Sequence, residues 1–307
     1  MMALGRVLVL GASGYIGAQL IAVLLERGYL VRAAGKSLAK MERCSWAKHN
    51  RVEIIETDVL DKQGLQNVCR DCEVVYYLVH SLNLYNKDFV QVDRQAAQNT
   101  VECAGKTGVR RIIYLGGLGE NEMTLSKHLR SRMEVLHILH SGKVPVTTFR
   151  AAMIIGRGSI SFEVLRCLVN RLPVLIAPCW VSTESQPIAV MNAIHYLVTC
   201  LESELTIGQV FDIGGPDILS YRELMDIYAQ EASLRKRLIV PVPPILIPAL
   251  SFLWLGMVTP FPAYIVRPLV EGLRNRIVCQ DNRIRDIIPQ KLLNCHEAIR
   301  MAVSKKR

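Results

Sequence analysis

Val7-Leu8-Val9-Leu10-Gly11-Ala12-Ser13-Gly14-Tyr15-Ile16-Gly17-Ala18-Gln19-Leu20 is the stretch that decides how this chain folds. Residues 6–10 form a β-branched and leucine run, the pattern of a strand buried on both faces of a parallel sheet. Three glycines follow at three-residue spacing, and then Ile16, Leu20, Val23 and Leu24 fall on one face of a helix. Strand, glycine turn and helix in that order bring backbone N–H groups and a positive helix end to a diphosphate. Gly11 permits the tight turn, Gly14 the close approach of phosphates, and Gly17 the packing of helix on strand. The expected cradle is therefore Gly11, Ala12, Ser13, Gly14, Tyr15, Ile16 and Gly17.

Further along, Gly28 is placed to end the first helix, and Tyr29 to Ala34 reads as a second strand. A site for NAD wants an Asp or Glu near the end of this strand, to accept hydrogen bonds from the ribose hydroxyls. None lies between Arg27 and Met41, where Arg32, Lys36, Ser37 and Lys40 stand instead. Cations there suit a 2′-phosphate, so NADP(H) is expected over NAD(H), with Arg32 and Lys36 as its partners. Val52–Glu56 is a third strand, and Asp58 and Val59 follow where loops cross the adenine. The fourth, Glu73–Val79, ends in Val79 and His80, near the expected place of the nicotinamide, with Tyr77 and His80 as pocket lining. Helices over about 87–106 and 126–140, strands over 111–115 and 146–149, and short connectors complete an alternating series. That rhythm predicts an α/β fold with a doubly wound parallel sheet. After residue 155 the rhythm breaks. Helical segments over 160–171 and 187–201, a strand at Val210–Ile213 and a capping box opening at Ser220 predict a smaller, mainly helical lobe. The expected division is 1–155 and 156–307, with the two parts interleaved.

Composition bounds the partners. Half of the 307 residues are hydrophobic, enough to bury a full core. The formal net charge of +10 suits a dinucleotide, an anionic membrane surface or an acidic protein. Nucleic acid is the least favoured partner, because no basic–aromatic stripe accompanies the charge. The nine cysteines are an odd number and sit mostly in apolar runs, which indicates a reducing, cytoplasmic setting. Cys69-Arg70-Asp71-Cys72 has no second pair or His tract to answer it, so no metal site is expected. The apolar start could pass for a signal peptide, but the glycine pattern inside it explains those residues better.

These landmarks together resemble the short-chain dehydrogenase/reductase superfamily, in particular its atypical, extended-like members related to NmrA-type NAD(P)-binding proteins. Gln186-Pro187-Ile188, Phe211-Asp212-Ile213-Gly214-Gly215-Pro216 and Ser220-Tyr221-Arg222-Glu223 are similar to the C-terminal landmarks of that group. Leu115–Gly119, His128–Arg132, Trp254 with Val258–Pro260, and Pro268–Gly272 are similar to YbjT-type proteins. The resemblance implies a Rossmann-type domain holding NAD(P).

It also implies a catalytic pattern that this chain lacks. Redox members carry a Tyr and, one helical turn later, a Lys that lowers the phenol pKa and holds the nicotinamide ribose. Here His128 falls where the Tyr belongs, Arg132 where the Lys belongs, and Gly117 where a Ser polarises the substrate. Two readings stand. His128 is a replacement acid beside a ribose-gripping Arg132, or the chain is a nucleotide-sensing, membrane-associated accessory or assembly protein without redox chemistry.

Residues 238–266, twenty-nine in all, carry no charged residue and no His. Six prolines interrupt them, and the longest proline-free piece, Ala249 to Thr259, would make only about 16 Å of helix against roughly 30 Å of hydrocarbon. An apolar pocket wall for a lipophilic small molecule, a segment lying on an anionic membrane, and a span are all left open.

Overall fold

β1 (Arg6–Leu10) is an interior strand of a seven-stranded parallel sheet, and four of its five residues are buried. The computed structural model describes residues 5–80, 89–119, 126–242, 259–262, 264–266 and 272–304; the side chains of residues 127, 128, 176–180, 241 and 242 fall outside it. Following β1 come α1 (Tyr15–Glu26), β2 (Val31–Gly35), α2 (Leu38–Glu42), β3 (Val52–Glu56), α3 (Lys62–Cys69) and β4 (Cys72–Tyr77). α4 (Phe89–Lys106), β5 (Arg111–Gly117), α5 (Lys127–His140) and β6 (Val146–Ala151) complete the alternating part. The second part adds β7 (Ile154–Ile155), α6 (Ile160–Arg171), β8 (Val174–Pro178), β9 (Glu184–Ser185), β10 (Ile188–Ala189), α7 (Val190–Thr199), β11 (Val210–Ile213), β12 (Leu219–Ser220), α8 (Tyr221–Glu231) and β13 (Leu238–Val242). Two more helices, Ile284–Ile287 and Cys295–Val303, lie near the end of the chain.

The strand order is β11-β6-β5-β4-β1-β2-β3, with every neighbouring pair parallel. The order reverses between β1 and β4, and at such a switch point the connecting helices leave to opposite faces and open a crevice over the strand ends. One face carries α1 and α7 over Val7, Val9 and Ile113. The other carries α3, α4 and α5 over Leu8, Leu10 and Val75. β11 comes from the second part of the chain yet hydrogen-bonds along β6, so that part completes the sheet. Phe149 on β6 stacks on Phe211 of β11 at 6.0 Å between ring centroids and on Tyr196 of α7 at 6.3 Å. Such aromatic pairs contribute about 1 kcal/mol each beyond their area.

Local chemistry sets the helix starts. Asp61 caps α3, Ser126 caps α5, and Ser220 with Glu223 forms the expected capping box. The helix expected over 187–201 begins only at Val190. Proline at 187 donates no hydrogen bond, and Ile188 gives its N–H to Met153 as β10 pairs with β7. The second lobe has its own core, with Phe162 edge-on to Tyr228.

Of the uncharged run, Leu238–Val242 forms β13 on β8, and residues 243–258 lie outside the described residues. Among the described residues no helix is long and apolar enough to cross a membrane. Cys69 and Cys72 are buried free thiols, and burial pushes Cys69 up to about 12. Among the described residues no cluster of His, Cys, Asp and Glu could hold a metal ion.

Candidate functional site

The glycine loop closes over the ends of β1, β2 and β4. The Gly11 and Ala12 amides both donate to the Ala34 carbonyl, at 3.0 and 3.1 Å, and the Gly14 amide donates to the Gly11 carbonyl at 2.9 Å. Gly11 has φ +83°, and a Cβ there would come within 2.7 Å of the Leu78 carbonyl oxygen. A Cβ on Gly17 would overlap the Gly11 carbonyl oxygen. Both positions therefore need glycine, one for its left-handed backbone and the other for close helix–strand approach. Gly14, exposed, is the N-cap of α1, where no side chain caps the helix and no acidic residue stands in the first turn. The amides that open α1 are thus left to an anion from outside. A diphosphate fits this corner: Gly11, Gly14 and Gly17 bring no side chain to it, and the start of α1 is electropositive with no acid in its first turn.

On the β2 and β3 side, Gly35 ends β2 with the Ser13 hydroxyl close by. Lys36 and Asp58 meet as an ion pair at 3.0 Å, each half exposed. The other Asp58 oxygen accepts the Leu60 amide at 2.9 Å, and Val59 is buried, its carbonyl accepting from Asn99 at 3.0 Å. The two residues expected to hold the adenosine end are thereby brought together.

Arg32 is engaged inside the protein. Its guanidinium is buried, donating to Glu53 at 2.9 Å and to the carbonyls of Val68 and Arg70 at 2.9 and 2.7 Å. It stands three residues short of the end of β2, so it ties that strand to β3 and to the end of α3 rather than facing the crevice. The cationic signal for a 2′-phosphate therefore rests on Lys36. The Tyr15 side chain turns to the second lobe, so close to Gly156 that a Cβ there would overlap its hydroxyl, while Ile16 packs against the α1 core.

On the other side of the switch point, Val79 borders Gly11, and His80 follows at the exit of β4. His80 Nδ1 lies 3.3 Å from Asp93 of α4, whose carboxylate is buried and also accepts from Ser131 of α5 at 3.2 Å. Burial holds the His80 imidazole below its usual range, the Asp93 hydrogen bond opposes this, and the Arg132 cation adds to the lowering. Arg132 lies across the Tyr114 ring at 5.6 Å and donates to the Leu115 carbonyl, while Tyr114 donates its hydroxyl to the Arg132 carbonyl at 3.1 Å. Gly117 lies against Arg132 and Leu129. His128 stands in the first turn of α5, and its side chain is outside the described residues.

Asp93 escaped the sequence reading, although a signal existed: an acid four residues after Phe89 sits on the apolar stripe of α4. The landmarks Gln186 and Asp212 prove to be buried fasteners. Gln186 accepts from the Cys279 amide and donates to the Gly215 carbonyl, while Asp212 pairs with Arg150 at 2.7 Å and accepts the amides of Gln280 and Asp281.

Residues 4–160 match the model of the NmrA-like family. The chain belongs to that family. Among curated relatives, it is 28% identical over 121 residues to cinnamoyl-CoA reductase 1 of Oryza sativa subsp. japonica, covering 38% of this chain and 36% of that protein. It is 23% identical over 224 residues to the mitochondrial NADH dehydrogenase [ubiquinone] 1 alpha subcomplex subunit 9 of Arabidopsis thaliana, covering 71% of this chain and 56% of that one. The chain thus spans about a third to just over half of the length of these curated relatives. A nucleoside-diphosphate-sugar epimerase from Staphylococcus aureus superposes over 96% of this NmrA-like chain and 99% of its own, with a TM-score of 0.76 at 14% identity. At that identity the likeness establishes the fold alone, a doubly wound, Rossmann-type parallel sheet.

Proposed function

We propose that this NmrA-like protein binds a nicotinamide dinucleotide, NADP(H) in preference to NAD(H), and serves as an oxidoreductase on an apolar substrate without a Tyr-x-x-x-Lys pair. The uncapped start of α1 above three Cβ-free positions carries the reading. The main chain of residues 11–17 would hold the diphosphate, Lys36 with Ser13 the 2′-phosphate, and Asp58 and Val59 the adenine. The nicotinamide half would lie across the switch point toward Val79, His80 and Arg132. The bound dinucleotide would supply or accept a hydride there. Arg132 keeps the one-turn geometry of a ribose-gripping cation, and its guanidinium fork suits a diol. The uncharged run 238–266 supports an apolar substrate, and the cinnamoyl-CoA reductase relative supports reductase chemistry.

A second reading, a nucleotide-binding accessory subunit, is favoured by the match of 71% of the chain to the Arabidopsis complex subunit. Contact with an anionic membrane surface belongs to it, supported by the +10 charge. Calorimetric titration of the full chain with NADP+, NADPH, NAD+ and NADH tests the shared claim, with tighter binding of the phosphorylated pair expected. Consumption of NADPH in the presence of cinnamoyl-CoA or a quinone favours the enzyme. Binding with no turnover across such a panel favours the subunit, and no binding of any nucleotide rejects both.

A further inference from the structure

Three polar side chains from three elements converge beneath the switch point: His80 at the end of β4, Asp93 on α4 and Ser131 on α5. Asp93 is buried, only 3% of its side chain being exposed, whereas a quarter of the His80 side chain is open although its Nε2 is buried. Burying a carboxylate is costly unless it is well satisfied, and its partners here include a histidine and a hydroxyl on different elements. The carboxylate fixes Nδ1 of the ring as a donor, in the manner by which buried acids orient imidazoles. Position matters as much as pairing. The glycine loop abuts the Leu78 carbonyl, and Lys36 and Asp58 take the opposite side, so a dinucleotide lying across the crevice puts its nicotinamide end toward the β4 exit.

We infer that the Asp93–His80 pair is a proton site coupled to the charge of the nicotinamide ring, so that His80 loses its proton when that ring becomes cationic. This rests on the dinucleotide reading above. An oxidised nicotinamide carries one positive charge and a reduced one carries none. An imidazolium nearby in a partly buried setting disfavours the first and tolerates the second. A bound dinucleotide would supply the hydride for a carbonyl reduction there, and His80 would be the group to release the proton taken up by the substrate oxygen, ending as a neutral imidazole. Charge and atoms balance without another reagent. The coupling serves a reductase as an acid–base device and an accessory protein as a redox sensor. Among the described residues the charged groups acting on His80 are Asp93 from α4 and Arg132 from α5, and the buried phenols Tyr77 and Tyr114 of β4 and β5 stand beside those two. Burial raises both phenols, and they stay neutral over the range at issue.

The test is the pH dependence of nucleotide affinity in the full chain. Dissociation constants for NADP+ and NADPH are measured from pH 8 to pH 5, in wild type and in His80→Gln. Both nucleotides carry the same phosphates, so phosphate titration cancels in their ratio. The expected result is a ratio of NADP+ to NADPH constants that rises about three- to tenfold as pH falls through the His80 midpoint, and stays flat in His80→Gln. NMR titration of the His80 ring in the wild type covers the case in which the variant fails to fold. NADP+ should lower its midpoint by at least about half a pH unit relative to NADPH. Binding of both nucleotides with a flat ratio and equal midpoints overturns the inference, as does an equal rise in the variant. No binding of either at any pH overturns the underlying reading and the inference with it.

Discussion

Lys36 reaches Asp58 across the ends of β2 and β3, so the cation offered to a 2′-phosphate is already partly balanced. Exposed pairs of this kind contribute about 0–1 kcal/mol, little enough for a phosphate to displace. Lys36→Glu is expected to weaken NADPH binding at least about tenfold while changing NADH binding less than about threefold, as read by calorimetry. Arg32 gives the opposite forecast. Arg32→Ala removes a buried cation from two carbonyls and a carboxylate, so urea denaturation should show a loss of about 2–3 kcal/mol. Its NADPH affinity should match the wild type. A phosphate role for Arg32 would show the reverse pattern.

The elements explain why some of this was legible and some was not. β1 to β6 follow from local apolar runs between glycine and proline punctuation, and the glycine loop follows from spacing alone. Arg32 is ambiguous in the sequence because a cation in a strand looks the same whether it faces solvent or the carbonyls of a neighbouring turn. What decides is Glu53, paired to it across β3, and the end of α3, and both depend on packing between elements. Asp93 was passed over for the same reason: an acid interrupting the stripe of α4 gains meaning only when His80 and Ser131 arrive from other elements. The junction between α1 and the second lobe was equally hidden. Gly156 has room for the Tyr15 hydroxyl only because it lacks a Cβ, which would also stand 2.7 Å from Val190 Cγ1. Gly156→Ala should cost about 1–3 kcal/mol in thermal or urea unfolding, with Tyr15 pushed from its seat.

At the scale of the whole molecule, the two parts are tied by β11 and by the Arg150–Asp212 pair, which also fastens residues 280 and 281. The second lobe is tied within itself by Glu231 of α8, which accepts from His296 and Arg300 of the last helix at 2.8 Å each. Those hydrogen bonds hold the Glu231 carboxyl down at about 2. A depressed carboxylate contributes stability that is full above its unfolded pKa of about 4.3 and is lost as pH falls toward the folded value. Glu231→Gln should therefore lower stability by about 1 kcal/mol at neutral pH, since its partners are partly exposed. The variant and wild type should converge between pH 4 and pH 2 in acid-unfolding curves. Everything functional, however, depends on the corner where β1 hands over to α1. A crystal structure of the full chain grown with NADPH tests it most directly. The diphosphate oxygens are expected within hydrogen-bonding distance of the amides in residues 11–17, with the nicotinamide beside His80. A dinucleotide bound elsewhere, or that corner filled by a protein side chain, would contradict it.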